Sequence, residues 1–233
     1  MKSNKFIQGR LDRTDVKNAE DLQLQVTKHL ENGTPLDEWI ENKVAKRCAK
    51  YGFRRIRVLA ELVRSFVLCT EFAKSATRQR VAEKAQIENF NRNGLKVTKL
   101  ADVGSDSIRL MGGEMVYGRV GRLARATKSI DARHKNDFLF MKWTNESGGS
   151  QENQWRDALG FIDAANEYIA NHNDSVKFVV ILDGPFYGKN WARYKQYATP
   201  RLFVETSDSY IARNQKVTTT TVRNDVVVRH TTA

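Results

Sequence analysis

Two apolar runs constrain this chain most. Residues 137–144 read Asp-Phe-Leu-Phe-Met-Lys-Trp-Thr, and residues 176–182 read Val-Lys-Phe-Val-Val-Ile-Leu. Runs this short, apolar at nearly every position, suit strands buried on both faces of a sheet. Between them, Glu146-Ser147-Gly148-Gly149-Ser150 breaks the chain. A helix is expected from about Gln151 to Ala170, with Trp155, Leu159, Ile162 and Ile169 along one side. The second run stops at Asp183-Gly184-Pro185.

Weaker signals fill in the rest. Leu95–Thr98, Ser129–Ala132 and Arg201–Val204 are expected as strands, and Trp191–Tyr197 as a short amphipathic helix. Lys216–Val222 and Val226–Arg229 are expected to form a hairpin around Arg223-Asn224-Asp225. Gly104, Gly112, Gly113, Gly118 and Gly121 punctuate a looser stretch. Upstream, residues 1–20 are polar and expected to be loose. Helices are expected over Asp21–Asn32, from Thr34-Pro35 to about Lys50 with Gly52 as the break, over Arg54–Lys74, and over Ala76–Arg92 with Asn93-Gly94 as the stop. The order is helices first, then a βββ–helix–β–(helix)–β series. The expected fold class is α/β (α+β): a helical N-terminal region over residues 1–75 and an α/β core over residues 76–233.

Charge gives the first functional clue. The 39 Lys and Arg outnumber the 27 Asp and Glu, for a net charge of +12, and the pI is near 9.8. An excess of this size points to a polyanionic partner, nucleic acid foremost. At 40% hydrophobic residues the chain can bury a core, and three prolines exclude a collagenous composition. No run reaches the ~18 apolar residues of a membrane span, and the start lacks the apolar segment of a signal peptide. A cytosolic protein is expected. Cys48 and Cys69 form no metal-binding spacing.

Common catalytic motifs are absent: no P-loop, no HExxH, and four scattered histidines, His29, His134, His172 and His230. One constellation remains. Asp131 ends a short strand candidate, and Lys142 follows inside an apolar strand, where an unpaired ammonium is costly to bury. Lys142 either pairs with an acid near the strand end or faces a polar cleft beside a metal-bound phosphate.

From Ala76 to Val204 the chain resembles the PD-(D/E)xK nucleases, type II restriction endonucleases in particular. The resemblance rests on Ser129-Ile130-Asp131, on Phe138-Leu139-Phe140-Met141-Lys142-Trp143-Thr144, on the glycine-rich turn and helix start Glu146–Gln154, and on Leu182-Asp183-Gly184-Pro185. It implies a restriction endonuclease-like mixed central sheet flanked by helices. It also implies Mg2+-dependent hydrolysis of duplex DNA at a specific sequence, a homodimer on a palindromic site, and a cognate DNA methyltransferase in the same system. Asp131 would hold the metal and Lys142 would stabilise charge or orient the nucleophile. In this family an acid two residues before the lysine shares its strand face and supplies hard oxygen ligands.

The chain departs from the family at that position, which is Phe140. Either the second carboxylate has migrated, or the site is dead, or the register differs. Glu146, just past the strand, and Glu152, at the start of the next helix, are the candidates for a displaced carboxylate. Glu88, on the helix before the first strand, is a further metal-proximal candidate. An acid in a first helical turn also simply suits the helix dipole. Two basic stretches are candidates for gripping DNA: Lys43 to Arg57, which contains no acid, and Arg119, Arg122, Arg125, Lys128 and Arg133 around Asp131. The alternative function is a non-catalytic DNA-binding protein that kept the fold and lost the site.

Overall fold

A computed structural model describes residues 2–73, 78–118, 126–144, 149–189 and 191–215. The chain divides into two compact units, Gln8–Val81 and a second one built from Met1–Ile7 with Ala82–Ala233. The division falls a few residues after the expected boundary at residue 75, and the first residues belong with the α/β unit.

The helical unit is built from α1 (Lys2–Asn32) beyond its first residues, α2 (Glu38–Tyr51), α3 (Arg55–Arg64), α4 (Phe66–Ala73) and the start of α5 (Arg78–Arg92). Residues 1–20, expected to be loose, are helical from Lys2 onward. Leu11, Asp15, Ala19, Leu22 and Val26 are buried at helical spacing, so a narrow stripe suffices where the composition looks polar. Gly52 ends α2 in the left-handed conformation, φ 68°. The single helix expected over Arg54–Lys74 is broken at Ser65, which is extended (φ −123°, ψ 102°). Its Oγ accepts the Leu68 N–H at 3.2 Å, capping α4 as α3 ends.

The α/β unit holds a five-stranded mixed sheet in the order β1 (Thr98–Lys99), β4 (Ala132–His134), β5 (Asp137–Trp143), β6 (Lys177–Asp183) and β7 (Leu202–Glu205). β1, β4 and β5 run antiparallel in turn, whereas β5–β6 and β6–β7 are parallel. All seven residues of β5 are buried. Phe138, Phe140, Phe178, Val180 and Leu182 meet α6 (Gly149–Asn171) through Phe161, Ile162 and Ala165. Leu139, Met141, Val179 and Ile181 pack with Phe90 of α5 and with Tyr210 of a last helix, α9 (207–215). Each face therefore carries its own core, the period-two consequence of strands that are apolar on both faces at most positions.

The glycine-punctuated stretch, expected only to be loose, contains a hairpin: β2 (Ile108–Met111) and β3 (Glu114–Tyr117), joined by Gly112-Gly113 with φ 58° and 74°. Two successive positive φ values are what a tight hairpin turn requires. The short helices α7 (Pro185–Gly188) and α8 (Trp191–Lys195) lie between β6 and β7. In α8, Tyr194 is buried against Trp155 with ring centroids 4.5 Å apart, so this aromatic joins the core. The hairpin expected over Lys216–Arg229 lies outside the described residues.

Candidate metal centre

Asp131 comes immediately before β4, and the antiparallel pairing of β4 with β5 brings it beside the end of the lysine-bearing strand. Its own N–H donates to the Leu139 carbonyl at 2.9 Å. The Met141 N–H donates to its Oδ2 at 2.6 Å. Lys142 follows on β5. Its Nζ lies 3.9 Å from Asp131 Oδ2, with both side chains more than nine-tenths buried. The ammonium also donates to the Met141 carbonyl at 3.1 Å and sits 4.0 Å from the centre of the Phe140 ring. An acid, a carbonyl and an aromatic face thus compensate a cation that burial penalises.

Two further carboxylates converge on Asp131. Glu83, from the buried face of α5, and Asp102, from the loop after β1, each offer an oxygen, and the ligand oxygens of all three residues lie within 4.8 Å of one another. Hard divalent cations bind oxygen at about 2.0–2.6 Å, so opposite ligands stand roughly 4–5 Å apart. The three carboxylates match that span, and their all-oxygen character suits a hard cation. Burial pushes Asp131 up to about 7; the Glu83 charge adds to the rise, while Lys142, the Met141 N–H and Lys99 oppose it. Carboxylates crowded this way, two buried and one half-buried, are a site that a divalent charge stabilises.

Lys99 stands at this cluster. Its Nζ lies 3.0 Å from Asp102 Oδ1 and 3.5 Å from Glu83 Oε2. Partial burial works against its charge, but the hydrogen bond to Asp102 and the charges of Glu83, Asp102 and Asp131 outweigh it and raise its pKa.

The sequence-derived candidates divide as follows. Asp131 and Lys142 come together. Glu88 is on α5 but off the face that bears Glu83, and it pairs with Arg92 at 2.8 Å. Glu152 is exposed in the first turn of α6 and is not among the three clustered carboxylates. Glu146, Arg119, Arg122 and Arg125 lie outside the described residues. Lys128 pairs with Asp157 at 2.5 Å. Arg133 is exposed on β4, with Nε donating to the Lys135 carbonyl at 2.7 Å and its guanidinium 5.1 Å from the Phe138 ring centre. Phe140 stacks on Phe161 at 4.6 Å and 9°, so the position two before Lys142, where the nuclease resemblance implies an acid, is a core position. Asp183 accepts from Gln86 Nε2 at 2.7 Å, from the Ser207 N–H at 3.0 Å and from the Ser207 hydroxyl. That carboxylate anchors α5 and α9 to the end of β6.

Glu83, Asp102 and Lys99 were not singled out from the sequence. For Glu83 a signal existed: it lies three residues before Gln86 and seven before Phe90, all buried on one face of α5. An acid on a buried stripe needs a partner. Asp102 carries no such local mark.

No protein-family model, curated protein or solved structure matches this chain.

Proposed function

We propose that this chain is a Mg2+-dependent endonuclease of duplex DNA, of the type II restriction kind. The observation that carries this reading is the convergence of Glu83, Asp102 and Asp131 beside the buried Lys142. The main sheet supports it: α5 precedes β1, β4 and β5, which run antiparallel in turn, and α6 leads to a parallel β6, with the separate β2–β3 hairpin inserted between β1 and β4. Apart from that hairpin, this is the βββ–helix–β series expected from the sequence. The net charge of +12 favours a polyanionic substrate.

In this reading Glu83, Asp102 and Asp131 hold the cation. A divalent ion bound there neutralises phosphate charge and makes bound water more acidic. The chain's own residues do the rest. Asp131 is oriented by the Met141 N–H, which fixes the oxygen aimed at Lys142. Lys142 keeps an ammonium at the end of β5, where it stabilises negative charge developing on a phosphate oxygen. Asp102 and Glu83 take the role that the strand acid plays in the family, leaving Phe140 free to pack. Cleavage of a palindromic site by a homodimer, with a methyltransferase protecting host DNA, belongs to the same proposal.

A second reading, a DNA-binding protein with a degenerate site, is favoured by Phe140, whose stacking on Phe161 excludes an acid at that position. Incubation of the purified protein with unmodified plasmid, in Mg2+ or in EDTA, separates the two. Discrete fragments that need metal and are lost in Lys142→Met and Asp131→Asn support the nuclease. Retained, salt-sensitive DNA binding without any cut in Mg2+ or Mn2+ rejects it in favour of the second reading.

A further inference from the structure

Within the helical unit, Lys43, Lys46, Arg47 and Lys50 of α2 stand at positions i, i+3, i+4 and i+7, on one face of the helix. They line a cavity of about 260 Å³ whose other wall includes Phe72 and Glu71 of α4, with Tyr51 at its end. Like charges three and four residues apart repel, yet only one acid, Glu71, shares this lining. The neighbouring cations differ: Arg55 pairs with Glu41 at 2.6 Å and Arg57 with Glu61 at 3.2 Å. Among the described residues, neither Lys46 nor Lys50 has a carboxylate within ion-pair reach.

The groove is also shaped. The Arg47 guanidinium lies 5.3 Å from the Phe72 ring centre and 5.5 Å from that of Tyr51. These contacts hold it in place, and its Nε is buried with no hydrogen-bond partner among the described residues. Lys43 donates to the Phe72 carbonyl, and desolvation by burial lowers its pKa. Lys50 lies 5.0 Å from the Tyr51 ring centre. The volume is below the ~300 Å³ at which small-molecule pockets usually begin, and four of its seven lining residues are cations, set among aliphatic stems and two aromatic rings. It suits a phosphate with adjoining sugar.

We propose that this groove binds the phosphate backbone of duplex DNA, as an anchoring site carried by the helical unit and separate from the carboxylate cluster. The inference rests on the DNA reading above but not on cleavage. Arg47 and Lys43 supply fixed donors, and Lys46 and Lys50 supply mobile charge. None of the four reads sequence, because phosphate contacts position a protein without selecting bases.

The test is fluorescence anisotropy of the full chain with a labelled duplex of about 20 base pairs across a salt series, in EDTA so that no cut can occur. In the double variant Lys46→Gln/Lys50→Gln, both substitutions are at exposed positions, so the fold should be kept; circular dichroism and Tm confirm that it is. The expected result is a salt slope shallower by about 2 and binding weaker by about tenfold. The control, Lys17→Gln/Lys28→Gln, removes the same charge at exposed positions of α1 and should leave binding nearly unchanged. Equal losses in the two doubles would mean diffuse attraction by net charge and would overturn the groove. Unchanged duplex binding in the groove double would overturn it too, as would a loss confined to phosphatidylserine vesicles. Plasmid cleavage is scored separately. A groove result without cleavage sinks only the hydrolytic reading, and cleavage without a groove result sinks only this one.

Discussion

The Lys142 ammonium lies 3.9 Å from Asp131 Oδ2, and both side chains are more than nine-tenths buried. Neither partner alone is tolerable there. Removing one member of a buried pair leaves an uncompensated charge, at a cost of about 3–5 kcal/mol. Asp131 can relieve part of that cost by taking a proton, since burial already holds its pKa near 7.

The first expectation concerns this pair. Lys142→Met and Asp131→Asn should each destabilise the fold and, on the proposed nuclease function, each should abolish cleavage. The double variant should be more stable than the two single losses added together, with a coupling of about 1–3 kcal/mol. Urea denaturation of the four proteins gives the coupling directly. A value near zero would mean that the two groups do not sense each other.

Metal binding should show as thermal stabilisation. A ligand that binds only the folded state at 100 times its Kd adds about 2.7 kcal/mol. Titrating Mn2+ or Mg2+ into the wild type should therefore raise Tm, and Glu83→Gln or Asp102→Asn should blunt the rise. Lys99 already occupies two of the three carboxylates, so Lys99→Met should tighten metal binding. Weaker metal binding in that variant would show that Lys99 supports the site rather than competing for it.

Introducing at Phe140 the acid that the nuclease resemblance implies should fail. Phe140 is fully buried and stacked on Phe161, and losing a core aromatic costs about 3–5 kcal/mol before the penalty for burying a carboxylate is added. Phe140→Glu should therefore lower stability sharply and give no gain in cleavage. A folded, more active Phe140→Glu protein would show that the strand position still belongs to the site.

Mild acidification should cost stability through His134, against the opposite contribution of Asp131, whose pKa near 7 lies above its unfolded value. Its Nδ1 lies 3.0 Å from the Tyr210 hydroxyl, which donates to Asp137 at 3.1 Å; the hydroxyl proton being used, Nδ1–H is the donor to Tyr210. Burial lowers the His134 pKa below 6.5, with Lys135 and Arg213 also lowering it and Asp137 opposing them. The unfolded chain then binds more protons than the folded one, so stability falls as pH drops below about 6.5 toward the depressed folded value. Above that window the contribution is complete and constant. His134→Asn keeps a donor without the titration. Between pH 7.5 and 5.5 the urea midpoint of the variant should fall less, or rise more, than that of the wild type, and equal changes in the two would assign the acid sensitivity to other groups.

Much of the sheet was legible because its signal is local. In β5 and β6 nearly every residue is apolar, and α6 repeats its apolar residues every three or four positions. Such patterns report burial whatever the chain does elsewhere. The first part of α1 was missed because its stripe includes Asp15, which breaks the hydropathy while keeping the spacing. The break at Ser65 was missed because a serine marks a cap only where the backbone turns extended. The β2–β3 hairpin was missed because Gly112-Gly113 reads as looseness until two short strands are seen to pair around it.

By itself, the sequence determined that a doubly buried strand would carry a lysine and that the chain would be strongly basic; it marked Asp131 as a candidate, and the β4–β5 pairing decided that Asp131 stands beside that lysine. Only the tertiary structure decided which acids complete the cluster. Glu83 belongs to a helix, Asp102 to a loop and Asp131 to the residue before a strand, and nothing in their sequence spacing links them. They meet because β1 pairs with β4, β4 with β5, and α5 packs on the sheet. That juxtaposition depends on pairing between residues far apart in the chain, which the hydropathy of near neighbours does not encode.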